Sequence, residues 1–365
     1  MIIESLTLEN FKCFKSEKTF DFGRITILTG ANSSGKSSVM YAILMALQSE
    51  NFPKKLSING EYVDLGDFKQ IANQHDASKI IKIGYRFDKY DYDFISYWSE
   101  DEVSFQPKLE KIDIPTKNGV LNTLEDLKFL SLHYPIKEYR GRVNYLSASR
   151  PVLSRTYLEK NRGDFKVDIE GSGYLDQIID WEKVKSPKLM TLIKIMSDLS
   201  LIEEMKTKRL DGGRFEMLVR VKGGNVLTSL NNVGYSVSQF LPVLVADLQL
   251  PNDSTLFLAE PEIHLHPSVQ SKFGDYIINQ VNTSDKNYVI ETHSEYFLNK
   301  IRLAIVKGEL KKEDIKVYFL ENNGDDTDVF DIDFRKNGGI RNAPDSFFET
   351  YLSDTMAIAM NSFAE

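Results

Sequence analysis

The stretch GANSSGKSS, residues 30–38, has residue types that bind phosphate, at the spacing G-x-x-x-x-G-K-[ST]. In such a loop the main-chain N–H groups surround the phosphates, Lys36 adds a positive charge, and the Ser37 hydroxyl ligates Mg²⁺. A strand-like run, RITILT, precedes it, and an amphipathic helical pattern that would point its positive end at the same anion follows. The predicted nucleotide-contacting residues here are Gly30, Ala31, Asn32, Ser33, Ser34, Gly35, Lys36, Ser37 and Ser38.

A second stretch, FLAEPEIHLHP, places two carboxylates and two imidazoles close together, from Glu260, Glu262, His264 and His266. A zinc site needs several such ligands around one ion, and no further ligand with suitable spacing follows. The single cysteine, Cys13, excludes thiolate-rich metal sites and internal disulfides. The two histidines are therefore interpreted as positioning or interface residues.

Composition restricts the class of protein. With 365 residues, 42% of them hydrophobic, the chain can bury a large core. Its net charge of -8 gives no overall positive field toward nucleic acid or an anionic membrane. No segment reaches the ~18 uncharged apolar residues of a membrane helix, and the N-terminus lacks the order of a signal peptide. We expect a cytoplasmic protein with no membrane partner.

The periodicity along the chain predicts an α/β fold. Strands are predicted at 2–8 and 18–29, and after residue 226 helices alternate with strands, which is typical of a mostly parallel sheet covered on both faces. ENNGDDTDVFDIDF predicts a β-hairpin with a turn rich in Asn, Gly and Asp. The predicted units are a core from 1–50 and 226–335, an inserted mixed α/β or helical region at 51–225, and a closing helix at 336–365.

LTLENFKCF followed by ITILTGANSSGKSSVMYAI resembles the start of the ABC-type ATPases of DNA maintenance and phage defence, the group of RecF, the SMC-like repair proteins and the OLD-type nucleases. The resemblance covers about residues 1–50 and 226–350. It implies a P-loop NTPase fold of ABC-ATPase type, with an N-terminal antiparallel β element, and ATP and Mg²⁺ as cofactors. The tail GIRNAPDSFFETYLSD is similar to the closing helix of stand-alone OLD-like relatives that lack a Toprim nuclease domain.

The segment NNVGYSVSQFLPVL resembles the ABC signature motif, although the family usually has glycine where Ser236 stands. The resemblance implies a head-to-tail dimer in which this segment contacts the γ-phosphate held by the opposite subunit. The matching residues are Gly234, Ser236 and Ser238, with Gln239 beside them.

STLFLAEPEIHLHP resembles the Walker B strand and D-loop. In the family the first of two acids holds Mg²⁺ and the second polarises the attacking water. Glu260 matches the second, but Ala259 replaces the first, so Mg²⁺ would rely on Ser37, the phosphates and Glu260. IETHSEYFLNKI resembles the switch-histidine segment, in which His293 would bond the γ-phosphate. The implied catalytic residues are thus Lys36, Glu260 and His293.

Two other matches are weaker. Gln70 in VDLGDFKQIAN is a candidate glutamine-loop ligand of Mg²⁺, and YLSASRPVLSR resembles a segment of OLD-like relatives. In that segment Arg150 or Arg155 would contact phosphate. A structural or surface role is the more common one for such residues.

Three functions stay open. The first is an ATPase, dimeric or a higher even-numbered oligomer, that controls a separately encoded nuclease or toxin, or DNA, in defence against phage. The second, motivated by Ala259, is a nucleotide-sensing scaffold with little hydrolysis. The third is a metal-dependent nuclease using Asp331 and Asp333, which is disfavoured because only 32 residues (365 minus 333) follow for a Toprim-type domain.

Overall fold

The computed structural model describes residues 3–87, 93–116, 119–121, 140–150, 153–160 and 166–348. The strands are β1 Ile3–Glu9, β2 Lys18–Asp21, β3 Ile25–Gly30, β4 Ile81–Phe87, β5 Asp93–Glu100, β6 Pro107–Thr116, β7 Gly119–Leu121, β8 Val143–Leu146, β9 Tyr157–Leu158, β10 Ile202–Leu210, β11 Arg214–Val221, β12 Thr228–Ser229, β13 Thr255–Ala259, β14 Asn287–Glu291, β15 Ile315–Asn322, β16 Thr327–Asp331, β17 Asp333–Phe334 and β18 Ile340–Arg341. The helices are α1 Lys36–Gln48, α2 Phe68–Ile71, α3 Tyr174–Lys183, α4 Pro187–Asp198, α5 Tyr235–Gln249, α6 Pro267–Thr283 and α7 Glu295–Lys307.

A central sheet of order β16-β15-β3-β14-β13-β8 organises the molecule. Strands β15, β3, β14, β13 and β8 run parallel, and β16 is antiparallel at one edge. This confirms the predicted α/β fold with a mostly parallel sheet. Because the strands are parallel, the loops at 30–38, 260–266 and 292–294 leave β3, β13 and β14 at the same edge.

The central sheet is buried on both faces. Leu256 and Leu258 of β13 pack in a core with α5, α6 and α7, whereas Phe257 packs on the opposite side with α1 and the N-terminal sheet. Side chains alternate between faces along a strand. Ala259 and the side chain of Glu291, at the ends of β13 and β14, therefore point to the α1 side.

The predicted N-terminal antiparallel element is a six-stranded sheet of order β2-β1-β4-β5-β6-β7. A further sheet contains β9, β10, β11 and β12. The region predicted as one insertion, 51–225, is therefore divided: β4 to β7 extend the N-terminal sheet, and β8 pairs with β13 in the core. Pairing between strands distant in sequence decides this, and local patterns do not record it.

Within the same region, residues 188–205 have a helical pattern, but α4 ends at Asp198. Residues 202–210 instead form β10, which pairs along its length with β11. Partner strands override the local helical pattern here.

The C-terminal part confirms the hairpin predicted for 321–334. Strands β15 and β16 pair antiparallel, and the Asn323 side chain closes the turn by accepting hydrogen bonds from the Asp325 and Asp326 N–H groups at 3.1 and 3.0 Å. The closing helix predicted from residue 336 is not present up to residue 348, where β18 and a 3₁₀ turn at Asp345–Phe348 stand instead. Residues 349–365 lie outside the described part. Among the described residues, no helix is long and apolar enough to cross a bilayer.

Candidate nucleotide-binding site

The phosphate-binding loop joins β3 to α1, and two glycines fix its path. Gly30 has φ +133°, and a Cβ there would lie 2.1 Å from the Leu320 carbonyl oxygen. Gly35, the N-cap of α1, has φ +101°, and a Cβ there would lie 2.3 Å from Cys13 Sγ. Both the backbone angle and the close neighbours require glycine at these positions.

Lys36 lies at the base of this loop and is buried. Its ammonium donates hydrogen bonds to the carbonyl oxygens of Gly30 at 3.1 Å and Ala31 at 2.8 Å. Burial lowers the pKa of Lys36, and the charges of Glu291, Glu260 and Glu262 oppose that shift. The lysine therefore belongs to one electrostatic cluster with three carboxylates.

Ser37 joins the loop to β14. Its hydroxyl lies 2.8 Å from Glu291 Oε2 and 3.0 Å from Oε1 and donates to that carboxylate. Ser37, Lys36, Glu291 and Gln70 line one cleft of about 320 Å³. The structure thus brings Gln70, predicted from a distant segment, to the same cleft as the loop. It also adds Glu291, whose role was not predicted although it lies in the quoted switch-histidine segment.

Glu260 and His293 meet at the same sheet edge. His293 Nε2 lies 3.6 Å from Glu260 Oε1. The Glu260 N–H donates to the Glu291 carbonyl at 2.8 Å, and Glu260 has φ +45°, a strained angle for a residue with a side chain. Burial and the charge of Lys36 lower the pKa of His293, and Glu260 opposes this. The lowered pKa favours the neutral imidazole at physiological pH.

Glu262 positions the histidine segment. Its Oε1 accepts hydrogen bonds from the Thr292 hydroxyl at 2.5 Å and the His293 N–H at 2.7 Å. Its Oε2 is buried and has no hydrogen-bond partner among the described residues. Burial raises the pKa of Glu262. This positioning role was not predicted, because it depends on a contact between two loops 30 residues apart.

The two histidines of FLAEPEIHLHP contact different neighbours. His266 caps α6 by accepting from the Ser268 N–H at 3.3 Å, and the exposed His264 ring lies 5.6 Å from the Tyr235 ring. Across the described ranges, no group of three or more His, Cys, Asp and Glu side chains is placed to hold a metal ion. A positioning role for His266 is what the sequence predicted.

The segment that resembles the signature motif begins α5. Gly234 is the N-cap, and Tyr235 is 67% exposed. The Ser238 hydroxyl is buried and donates to the Tyr235 carbonyl at 3.0 Å, a bond that serine often makes within a helix. In this chain the Ser238 hydroxyl therefore bonds within α5, and its contact with nucleotide stays a prediction. Gly234 and Ser236 remain the candidates.

The two arginines predicted to contact phosphate lie in different parts of the molecule. Burial lowers the pKa of Arg150 to about 10, and the neighbouring Tyr145 of β8 opposes the shift. Because β8 is parallel to β13, Arg150, four residues after the end of β8, lies toward the same edge of the sheet as the site. The Arg155 Nε lies 3.5 Å from Glu216 Oε1 on β11, so Arg155 is occupied in another sheet.

The aspartates of the nuclease hypothesis are paired with lysines. Asp333 Oδ1 lies 2.5 Å from Lys312 Nζ, and Asp331 Oδ2 lies 3.7 Å from Lys316 Nζ. Two lysines beside the carboxylates offset the negative charge that a divalent cation needs. This arrangement does not favour a metal-dependent nuclease centre.

Comparisons with known proteins identify the family and the fold of the chain. The model of the family described as AAA ATPase domain matches residues 1–168 and 170–298. A search of the curated proteins finds no match. An SMC head bound to the C-terminal winged-helix domain of ScpA is 13% identical, with a TM-score of 0.54 over 92% of this chain and 99% of that one.

Two other SMC heads are similarly distant in sequence. One from Pyrococcus furiosus, with an extended coiled coil and bound to the C-terminal domain of ScpA, is 12% identical with a TM-score of 0.50, and both chains are covered completely. One from Thermotoga maritima is 12% identical with a TM-score of 0.48, over 91% of this chain and 99% of that one. At such identities the likeness concerns the fold alone. The chain has the P-loop fold of SMC heads, and it belongs to the AAA ATPase domain family.

Proposed function

We propose that this protein binds ATP with Mg²⁺ and hydrolyses it at composite sites of a head-to-tail dimer. The observation that carries the proposal is the meeting of Glu260 and His293, 3.6 Å apart, at the sheet edge beside Lys36 and Ser37. A general base must stand within reach of the attacking water, and a positive charge must stand by the phosphates. The position of Glu260 and Lys36 at one edge of the sheet supports these roles.

Each side chain has a distinct role in this proposal. Lys36 would turn from the loop carbonyls to the β- and γ-phosphates and neutralise their charge, and the Ser37 hydroxyl would hold Mg²⁺, which would supply further positive charge. Glu260 accepts the proton of the attacking water. The neutral His293 donates a hydrogen bond to the γ-phosphate. Gln70 lines the same cleft and would contact the Mg²⁺.

A second subunit completes the site in this proposal. The cleft at the phosphate loop is lined, within the described residues, by segments other than the one that resembles the signature motif. That segment instead presents Gly234 and the exposed Tyr235 at the start of α5. A helix N-terminus attracts anions, so it suits the γ-phosphate held by a partner.

The biological role follows from the resemblance to ATPases of phage defence. ATP binding would close the dimer, or a larger even-numbered assembly, and hydrolysis would reopen it. The closed state would act on a separately encoded nuclease or toxin, or on DNA. This part rests on family analogy.

The second candidate is a scaffold that binds ATP with little turnover, and Ala259 is the observation that favours it. The methyl side chain at this position cannot ligate a cation. Steady-state hydrolysis by the wild type and by Glu260→Gln separates the two candidates. For the ATPase we expect kcat to fall by about 10²-fold or more, the usual contribution of a general base, with little change in ATP affinity.

Glu313→Gln, which neutralises an exposed glutamate far from the cleft, is the matched control and should retain wild-type turnover. Equal rates in the wild type and Glu260→Gln would contradict the catalytic assignment and favour the scaffold.

A further inference from the structure

The end of β13 lacks the acid that the Walker B pattern places there. Ala259 is the last residue of this strand and is only 5% exposed. In the parallel register its partner on β14 is Glu291. Both side chains point to the α1 side of the sheet, so the carboxylate absent from one strand is present at the same level of its neighbour.

The position of β14 brings this carboxylate closer to the phosphate loop. In the sheet, β14 lies directly between β3 and β13. Neighbouring strands are about 4.8 Å apart, so residue 291 starts about one strand spacing nearer to the loop than residue 259. From this position the Glu291 side chain reaches the loop, and both of its carboxylate oxygens lie within 3.0 Å of the Ser37 hydroxyl.

Burying a carboxylate costs free energy unless partners compensate. Glu291 is only 5% exposed, so its carboxylate needs such a partner. The Ser37 hydroxyl has one proton to share between the two carboxylate oxygens, at 2.8 and 3.0 Å. A cation between that hydroxyl and the carboxylate would compensate the charge better. Mg²⁺ is bound in proteins by one or two carboxylates together with phosphate oxygens and water.

We propose that Glu291 is the carboxylate that holds Mg²⁺ beside Ser37, replacing the acid absent at position 259. This inference rests on the proposed binding of ATP with Mg²⁺. It assigns the metal contact to β14 and leaves Glu260 free to act on water. It also removes the main reason to expect weak metal binding from Ala259.

The test is equilibrium binding of a ribose-labelled fluorescent ATP analogue, with excess Mg²⁺ and with EDTA. The ratio of the two dissociation constants reports how much more tightly the protein-bound nucleotide holds Mg²⁺ than free nucleotide does. For Glu291→Gln we expect this ratio to fall by about tenfold or more, the scale of a lost metal-site group. In EDTA the variant should bind as tightly as the wild type or more tightly, because a negative charge beside the phosphates is removed.

Glu216→Gln is the matched control, since Glu216 is a buried glutamate of β11 outside the site. It should keep the wild-type ratio. If Glu291→Gln weakens binding equally in Mg²⁺ and EDTA, or leaves the ratio unchanged, the residue is structural and the inference is overturned. If the wild type binds the analogue in neither condition, the proposed function fails first.

Should Glu291→Gln not fold, Glu291→Asp provides the same measurement. It retains the charge but withdraws the carboxylate from Ser37 by one methylene. We expect the Mg²⁺ ratio to fall, and an unchanged ratio would overturn the inference.

Discussion

At the scale of single residues, Glu262 connects the catalytic segments. It sits two positions after Glu260 and holds the backbone of His293 through a charge-assisted hydrogen bond. The other carboxylate oxygen has no partner in the described structure, so the ionised form is poorly compensated. The residue positions His293 and does not need to touch the nucleotide.

This arrangement predicts a pH-dependent effect of Glu262→Gln. Because burial raises the folded-state pKa of Glu262, its favourable contribution is present below the unfolded value of 4.5 and is lost as pH rises through the folded value. A tenfold difference in proton affinity between the folded and unfolded states corresponds to about 1.4 kcal/mol. The amide can still accept both hydrogen bonds. We therefore expect Tm of Glu262→Gln, relative to the wild type, to rise between pH 4.5 and pH 7.5.

Thermal unfolding of both proteins across this pH range checks the prediction. Glu313→Gln is the control and should show no such trend, since that side chain is exposed. A relative Tm that falls toward pH 7.5 would show that the ionised carboxylate stabilises the fold.

At the scale of elements, the turn from β3 into the phosphate loop depends on its neighbour β15. These strands pair in parallel up to Gly30 and Leu320. The close approach of the Leu320 carbonyl leaves no space for a side chain at Gly30. Gly30 of the phosphate-binding motif is thus also needed for the close packing of β3 against β15.

Gly30→Ala should therefore lower the free energy of unfolding by more than a positive φ alone accounts for. Gly308→Ala is the matched control, because Gly308 ends α7 at φ +72° with nothing within 4 Å of its Cβ. We expect the control to lose about 1–2 kcal/mol of unfolding free energy, the cost of a left-handed residue. Gly30→Ala should lose roughly 1–3 kcal/mol more through overpacking. Urea denaturation measures both, and equal losses would show that the Leu320 contact relaxes freely.

The elements that sequence patterns predicted are those with strong local signals. The strand, loop and helix of residues 25–48 and the hairpin of 315–331 follow from local periodicity and turn residues. The order of strands in the sheets does not, since β8 joins β13 across more than 100 residues. Long-range pairing is selected by the whole core, and the local sequence contains little information about it.

At the scale of the whole molecule, the proposal requires two chains. One chain carries the phosphate loop, Glu260 and His293 in one electrostatic cluster. The proposed γ-phosphate contact, with Gly234 and Ser236, belongs to the opposite subunit. Each composite site of the dimer would then need an intact half from each chain.

Mixing two inactive variants tests this requirement. Lys36→Ala damages one half of the site, and Ser236→Glu damages the other by placing a negative charge against the γ-phosphate. Each alone should be nearly inactive. In an equimolar mixture half of the dimers are mixed and each has one intact site, so about a quarter of wild-type ATPase activity should return.

Mixing Lys36→Ala with Glu260→Gln is the control. Both residues lie in the same half of the site, so no intact site forms and no activity should return. If the first mixture recovers no more activity than this control, the signature segment lies in the same half as the phosphate loop, and the head-to-tail arrangement is refuted.

The sequence alone predicted the phosphate loop and the candidate residues Glu260 and His293, because each lies at the end of a strand with a strong local pattern. It also showed that Ala259 cannot bind a cation. Only the tertiary structure shows which carboxylate lies near position 259. The register of β13 against β14 puts Glu291 beside Ser37. Contact between the loops after β13 and β14 lets Glu262 accept a hydrogen bond from the His293 N–H. Such contacts depend on distances across the sheet, which spacing along the chain does not specify.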